Sequence, residues 1–127
     1  MKILIAEDEN DILLGLTVQL ESRGYEIIGA GDGEEALALI VRHDPDIVIL
    51  DLMMPKKNGY EVIKELRKQP KWRPVIMLSA LNDTKDVIKG YQHEADYYLT
   101  KPFKIDQLVE GIKVMTSLIP IRKQAGG

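Results

Sequence analysis

The chain has 127 residues, 45% of them apolar and 29% charged, with a net charge of −3 and a sequence pI near 5.4. That length fits one domain with its own core, and scattered lysines and arginines in an acidic chain argue against a nucleic-acid-binding surface. The lack of cysteine excludes disulfides, zinc–thiolate sites and thiol catalysis. No apolar run reaches the roughly 18 residues of a membrane span, and the short N-terminal run is no signal peptide, so a cytoplasmic location is expected.

Ile3 to Ala6 is a short apolar run ended by Glu7, Asp8 and Glu9, and it reads as a strand. Asn10 or Asp11 is placed to cap the helix that follows. In it Ile12, Leu13, Leu16 and Leu20 share one stripe, while Leu14 and Val18 lie opposite, as a docking patch or as incidental apolar surface. Gly24 is expected to close this helix. Tyr25 to Ala30 predicts a second strand, Gly31-Asp32-Gly33 a turn, and Glu34 to Val41 a second helix that His43-Asp44-Pro45 breaks.

The next stretch starts at Asp46, runs through aliphatic Ile47 to Leu50, ends on Asp51, and turns through Pro55, Lys56, Lys57, Asn58 and Gly59. An uninterrupted aliphatic run this short predicts a strand buried on both faces. A carboxylate directly at its C-terminal end has no packing role, and that edge is where open α/β sheets bind ligands. Asp51 is therefore the candidate reactive group. Lys56 and Lys57 read as solvated.

Val62, Ile63 and Leu66 mark a third helix, and Gln69 to Pro74 a loop whose Trp72 is expected to cover the core edge. Val75 to Leu78 is a fourth strand ending at Ser79-Ala80. A fourth helix, weakened by Gly90, is expected from about Asn82 to Gln92. Asp96 to Thr100 is a fifth strand, in which Tyr97 and Tyr98 should point one inward and one outward. Lys101-Pro102-Phe103 follows. Ile105, Leu108, Val109, Ile112 and Met115 stripe a last helix that Pro120 is expected to end, giving a domain over 1–120 and a tail or linker remnant over 121–127. His43 and His93 are isolated and fit no metal-ligand spacing.

Five strands, each followed by a helix, predict a doubly wound parallel sheet with helices on both faces. The order 2-1-3-4-5 fits best, with its switch point between strands 1 and 3. The strand ends would then gather Glu7, Asp8, Asp51, Ser79 and Lys101. Crowded carboxylates repel one another unless a cation sits among them, and a hard ion such as Mg²⁺ suits oxygen ligands. Asp51 would be placed to attack a phosphoryl group. Mg²⁺, Lys101 and the Ser79 hydroxyl would stabilise its oxygens.

The acidic Glu7-Asp8, Asp51-Leu52-Met53-Met54-Pro55 with Gly59, Ser79-Ala80, and Lys101-Pro102-Phe103 are four motifs in a fixed order. Together they resemble the receiver domain of two-component response regulators, over about Lys2 to Leu118. The resemblance implies a flavodoxin-like fold, with Asp51 phosphorylated by a histidine kinase or phosphotransfer protein. It also implies that Asp8, Asp51 and the backbone carbonyl of Met53 bind Mg²⁺, with Mn²⁺ as a substitute and Glu7 acting mainly through water. A cis bond at Lys101–Pro102 and a switch pair of Ser79 and Tyr98 follow from the same resemblance. So do kinase docking at Leu14 and Val18 and target binding by the fourth helix, fifth strand and fifth helix.

The chain departs from the family pattern in several places. Ser79 stands where many members have Thr, and Glu94 where Gly is frequent. Gln107 and Gly111 lack charges through which winged-helix members dimerise. Met53 and Leu81 put apolar groups at two positions that influence the hydrolytic water, so slow loss of the phosphoryl group is expected. Two rival readings fit less well. An aspartyl-phosphate phosphatase would place an acid where Met53 stands, and a flavin module would need a Ser/Thr/Gly-rich loop where Glu7 to Asn10 lie.

Overall fold

The five aliphatic runs pair side by side into one parallel sheet. A computed structural model describes residues 1–80 and 95–125, and side chains as far as Pro120. Its strands are β1 (Lys2–Ala6), β2 (Glu26–Ala30), β3 (Ile47–Asp51), β4 (Val75–Ala80) and β5 (Tyr97–Lys101), in the spatial order β2-β1-β3-β4-β5. The expected order is the observed one. The helix expected over residues 82–92, with Leu81, Gly90, His93 and Glu94, lies outside the described residues.

Strand alternation sorts the side chains onto two faces. Leu4, Val48, Leu50 and Met77 pack with Ala36 and Ile40 of α2 (Gly33–His43) and with Val62, Ile63 and Leu66 of α3 (Gly59–Arg67). Ile3, Ile5, Ile47, Ile49 and Ile76 pack with Leu16 and Leu20 of α1 (Asn10–Glu21) and with Leu108, Ile112 and Met115 of the C-terminal helix (Ile105–Ala125). β3 is buried along its whole length. Helices cover both faces, so the central strands need no polar side.

Local chemistry explains several boundaries that differ from the sequence expectations. Neither Asn10 nor Asp11 caps α1: Glu9 is the extended residue before it and makes no side-chain cap bond. Its carbonyl accepts from Leu13 N at 3.0 Å, which puts Asn10 and Asp11 inside the first turn, where an acid complements the helix dipole. The end of α1 comes at Glu21, and Gly24 adopts φ +94° two residues past the cap to turn the chain toward β2. Asp32 caps α2 by accepting from Glu35 N at 2.8 Å. Asn58 and Glu61 close a reciprocal capping box on α3.

Three further expectations are corrected. Tyr97 and Tyr98 do point to opposite faces, but both faces are covered, so both are half-buried, Tyr97 against the α1 side and Tyr98 against the α2–α3 side. The C-terminal helix runs through Pro120 to Ala125. Pro120 is exposed, a place where water is at hand for the carbonyl that a proline leaves without an amide partner. Trp72 belongs to neither apolar cluster and instead lies under the Arg67 guanidinium, 5.8 Å from its ring centre. Among the described residues, no helix is long and apolar enough to cross a membrane.

Candidate functional site

The C-terminal ends of β1, β3, β4 and β5 meet on one edge of the sheet. Asp51 is the last residue of β3 and only 7% exposed. Its place is fixed by the strand and by Gly59, where a Cβ would fall 2.8 Å from the Asp51 carbonyl oxygen and 2.8 Å from Met77 Sδ. No other residue type fits that approach. Asp51 Oδ1 accepts from the Met53 amide at 3.2 Å, and Oδ2 accepts from Lys101 Nζ at 2.8 Å.

Lys101 reaches across from the end of β5 because β4 and β5 pair in register, Ala80 opposite Lys101. Its ammonium also donates to Glu7 Oε1 at 3.1 Å. Glu7 is fully buried, held by its amide bond to the Ala30 carbonyl, which prolongs the β1–β2 pairing by one residue. Glu7 thus meets Lys101 directly, a contact separate from the water-mediated approach to Mg²⁺ expected of it. Only the burial of Glu7 was legible in the sequence: a residue that continues a buried strand inherits its burial.

Glu7, Asp8 and Asp51 can each bring a carboxylate oxygen within 4.8 Å of the others. Glu7 Oε2 is buried and accepts no hydrogen bond. Burial first, and then the Asp51 carboxylate beside it, raises the Glu7 pKa to about 8 against the opposing pull of Lys101. Burial alone would lower Lys101, but its hydrogen bonds and charge contacts with Asp51 and Glu7 outweigh this and raise it. Three acids facing one ammonium, with an orphaned buried oxygen among them, suit a hard cation with oxygen ligands. The donor set fits Mg²⁺.

Ser79 is 3% exposed, one residue beyond the Leu78 that pairs with Asp51. It shares its face of the sheet with Met77 and, through the pairing of Met77 with Tyr98, with the half-buried Tyr98. Met53 is exposed beside Asp51. The Lys101–Pro102 bond is cis. Leu14 and Val18 are exposed at 63% and 58% on α1, and the groove between α1 and Phe103 is lined by Ile12, Gly15, Leu16 and Pro102. Lys56 and Lys57 are not merely solvated: Lys56 pairs with Asp32 at 3.6 Å, and Lys57 packs against Gly33. Nothing in the sequence spacing marks those contacts, because they join loops that only the folded sheet brings together.

A doubly wound parallel sheet in the order 2-1-3-4-5, with an acidic pocket and a lysine gathered at its switch-point edge, places the chain among flavodoxin-like α/β domains. Within that class, the chain belongs to the response regulator receiver domain family, which it matches over residues 3–113. It is 47% identical over 112 residues to a probable transcriptional regulator, ycf27, of Porphyridium aerugineum, covering 88% of this chain and 46% of that protein. It is 41% identical over 114 residues to the alkaline phosphatase synthesis transcriptional regulatory protein PhoP of Bacillus subtilis, covering 90% and 48%. The chain thus spans about half the length of the curated relatives it matches. Among solved structures, the receiver domain of Francisella response regulator 1452 superposes with a TM-score of 0.81 at 40% identity, covering 90% of this chain and 94% of that one. Vibrio cholerae chemotaxis protein CheY4 gives 0.82 at 30% identity, covering 90% and 97%.

Proposed function

We propose that this receiver domain is a phosphorylation-driven switch whose acceptor is Asp51. The observation that carries the reading is the pocket itself: a strand-end carboxylate, nearly buried, with Lys101 Nζ at 2.8 Å and two further acids within ligand distance. The donor is the phosphohistidine of a histidine kinase or phosphotransfer protein, docked over α1 at Leu14 and Val18. An Asp51 carboxylate oxygen attacks phosphorus, the phosphorus–nitrogen bond breaks, and the leaving imidazole keeps the electron pair. Lys101 turns its hydrogen bonds toward the transferring oxygens, and the Ser79 hydroxyl donates to one of them. Asp8, Asp51 and the Met53 carbonyl would hold Mg²⁺, or Mn²⁺ in its place, which supplies neutralisation of the phosphoryl charge. Glu7 keeps the floor of the pocket acidic and orients Lys101.

Movement of Ser79 toward the new phosphoryl group draws Tyr98 inward and shifts a pre-existing equilibrium on the face of β5 and the C-terminal helix, where a target binds. The receiver domain spans 1–120, and the C-terminal helix runs on past it to Ala125. It acts in the cytoplasm and does not itself contact nucleic acid, consistent with its net charge of −3. Peptide mapping after incubation with Mg²⁺ and a small acyl phosphate tests the assignment. The expected adduct lies on the peptide containing Asp51 and is labile to hydroxylamine. An adduct confined to another peptide would overturn it.

A further inference from the structure

The loop from Leu52 to Asn58 carries Met53 beside the acceptor, and its two ends are anchored well. Leu52 N donates to Leu78 O at 2.8 Å, Gly59 N to Leu52 O at 2.9 Å, and Asn58 is locked into the α3 capping box. Its middle is a tight turn in which Lys57 N donates to Pro55 O at 2.8 Å across Lys56, whose φ is +67°. A lysine in that conformation is strained and persists only where its surroundings hold it.

The holding surface belongs to a different element. A Cβ at Gly33, the first residue of α2, would fall 2.0 Å from the Lys57 carbonyl oxygen and 2.6 Å from Lys57 Cβ. The preceding Asp32 reaches Lys56 Nζ at 3.6 Å while it caps α2. Ala36 and Ile40 fix α2 in the core with no exposed surface. A side chain at 33 would therefore push the loop rather than the helix.

We propose that Gly33 and Asp32 are positioning residues for phosphoryl transfer: they seat the strained turn at Lys56 and so set where Met53 stands relative to Asp51. The inference rests on the function proposed above, because it matters only if the Asp51 pocket takes up a cation and a phosphoryl group. Neither residue touches the reacting atoms. They act through the loop.

The test compares Gly33→Ala with Gly31→Ala, a control in the same connection where a Cβ meets nothing within 4 Å. Two readouts are used: the Met53 amide resonance of the metal-free, ¹⁵N-labelled protein, and Mg²⁺ affinity by calorimetry. In Gly33→Ala the Met53 amide should shift and Mg²⁺ binding should weaken about tenfold, since displacements near 1 Å at a preorganised site are costly. Gly31→Ala should match wild type in both. Loss of fold stability alone would lower the competent fraction without changing the Mg²⁺ constant of the folded protein. Should Gly33→Ala not fold, Asp32→Asn, which keeps a capping oxygen and removes the charge facing Lys56, should still move the Met53 amide and weaken Mg²⁺ about twofold. Unchanged Met53 resonance and Mg²⁺ affinity in a folded Gly33→Ala, or in Asp32→Asn if that variant is needed, would overturn the proposal. A wild type that neither binds Mg²⁺ nor gains a phosphoryl group would instead overturn the function on which it rests.

Discussion

Glu7 is the residue at which burial and charge conflict most. Its carboxyl is fully buried, and its pKa is raised to about 8. A carboxyl raised in the folded state favours the fold while protonated. The unfolded chain releases its proton near pH 4.5 and the folded one only near pH 8, so the metal-free domain loses stability as pH rises between those values. Replacing Glu7 with Gln removes that slope. Urea unfolding in chelator should find Glu7→Gln more stable than wild type at pH 8 by on the order of 2 kcal/mol, with little advantage at pH 5. Parallel profiles for the two proteins would refute this account of Glu7. Met53 makes a second prediction at the same scale. Its exposed thioether beside Asp51 offers an attacking water no hydrogen bond, so the phosphorylated domain should decay over minutes or longer, and Met53→Asn should decay faster. A wild-type half-time of seconds contradicts it. Of the residues gathered at this edge, Asp51 and Lys101 were legible because each ends a strand, and Asp8 and Ser79 because they lie within two residues of a strand end. The Glu7–Lys101 contact was not, because it depends on how far a lysine reaches past the two strands, β4 and β3, that separate β5 from β1.

Elements are joined at the opposite edge of the sheet by a cluster that sequence periodicity cannot show. Arg73 is buried in the loop before β4, and its guanidinium donates to the Pro45 carbonyl, to Gln69 Oε1 and to Asp44 Oδ1. Asp44 ends α2 in the left-handed region at φ 50° and also accepts from Lys71. The Lys71 hydrogen bond, and then that of Arg73, hold the Asp44 carboxyl below its ordinary range. A depressed acid stabilises the fold above its unfolded pKa and loses that contribution as pH falls through the folded value. Asn tolerates the same backbone and keeps the oxygen, so Asp44→Asn isolates the charge. Thermal unfolding should place wild type above Asp44→Asn at pH 7 by about 1 kcal/mol or less, because Asp44 is largely exposed, with the gap closing below about pH 4. A gap that stays constant to pH 3 would rule out a charge effect. The same scale shows where local signals suffice. The Asn58-to-Glu61 spacing announces the α3 cap in the sequence itself, whereas Pro120 misleads: it is exposed, and the helix runs on through it to Ala125.

Across the whole molecule, the alternation of five aliphatic runs with amphipathic stretches was enough to give the sheet, because chain handedness and two-sided burial leave few arrangements. That order converts separate strand ends into one pocket, and Asp51 and Lys101, 50 residues apart in the chain, become hydrogen-bonded partners. What the alternation could not give is how helix ends meet loops, such as Gly33 against Lys57 or Arg67 donating to Asp96, since such contacts carry no period. On the proposed function, this pocket makes Asp51 a phosphoacceptor. Intact mass of the wild type and of Asp51→Asn, each incubated with a small acyl phosphate with and without Mg²⁺, tests it most directly. The account predicts a gain of one phosphoryl group in the wild type only, and only with Mg²⁺. An unmodified wild type that nevertheless binds Mg²⁺, or an Asp51→Asn protein modified to the same extent, would contradict it.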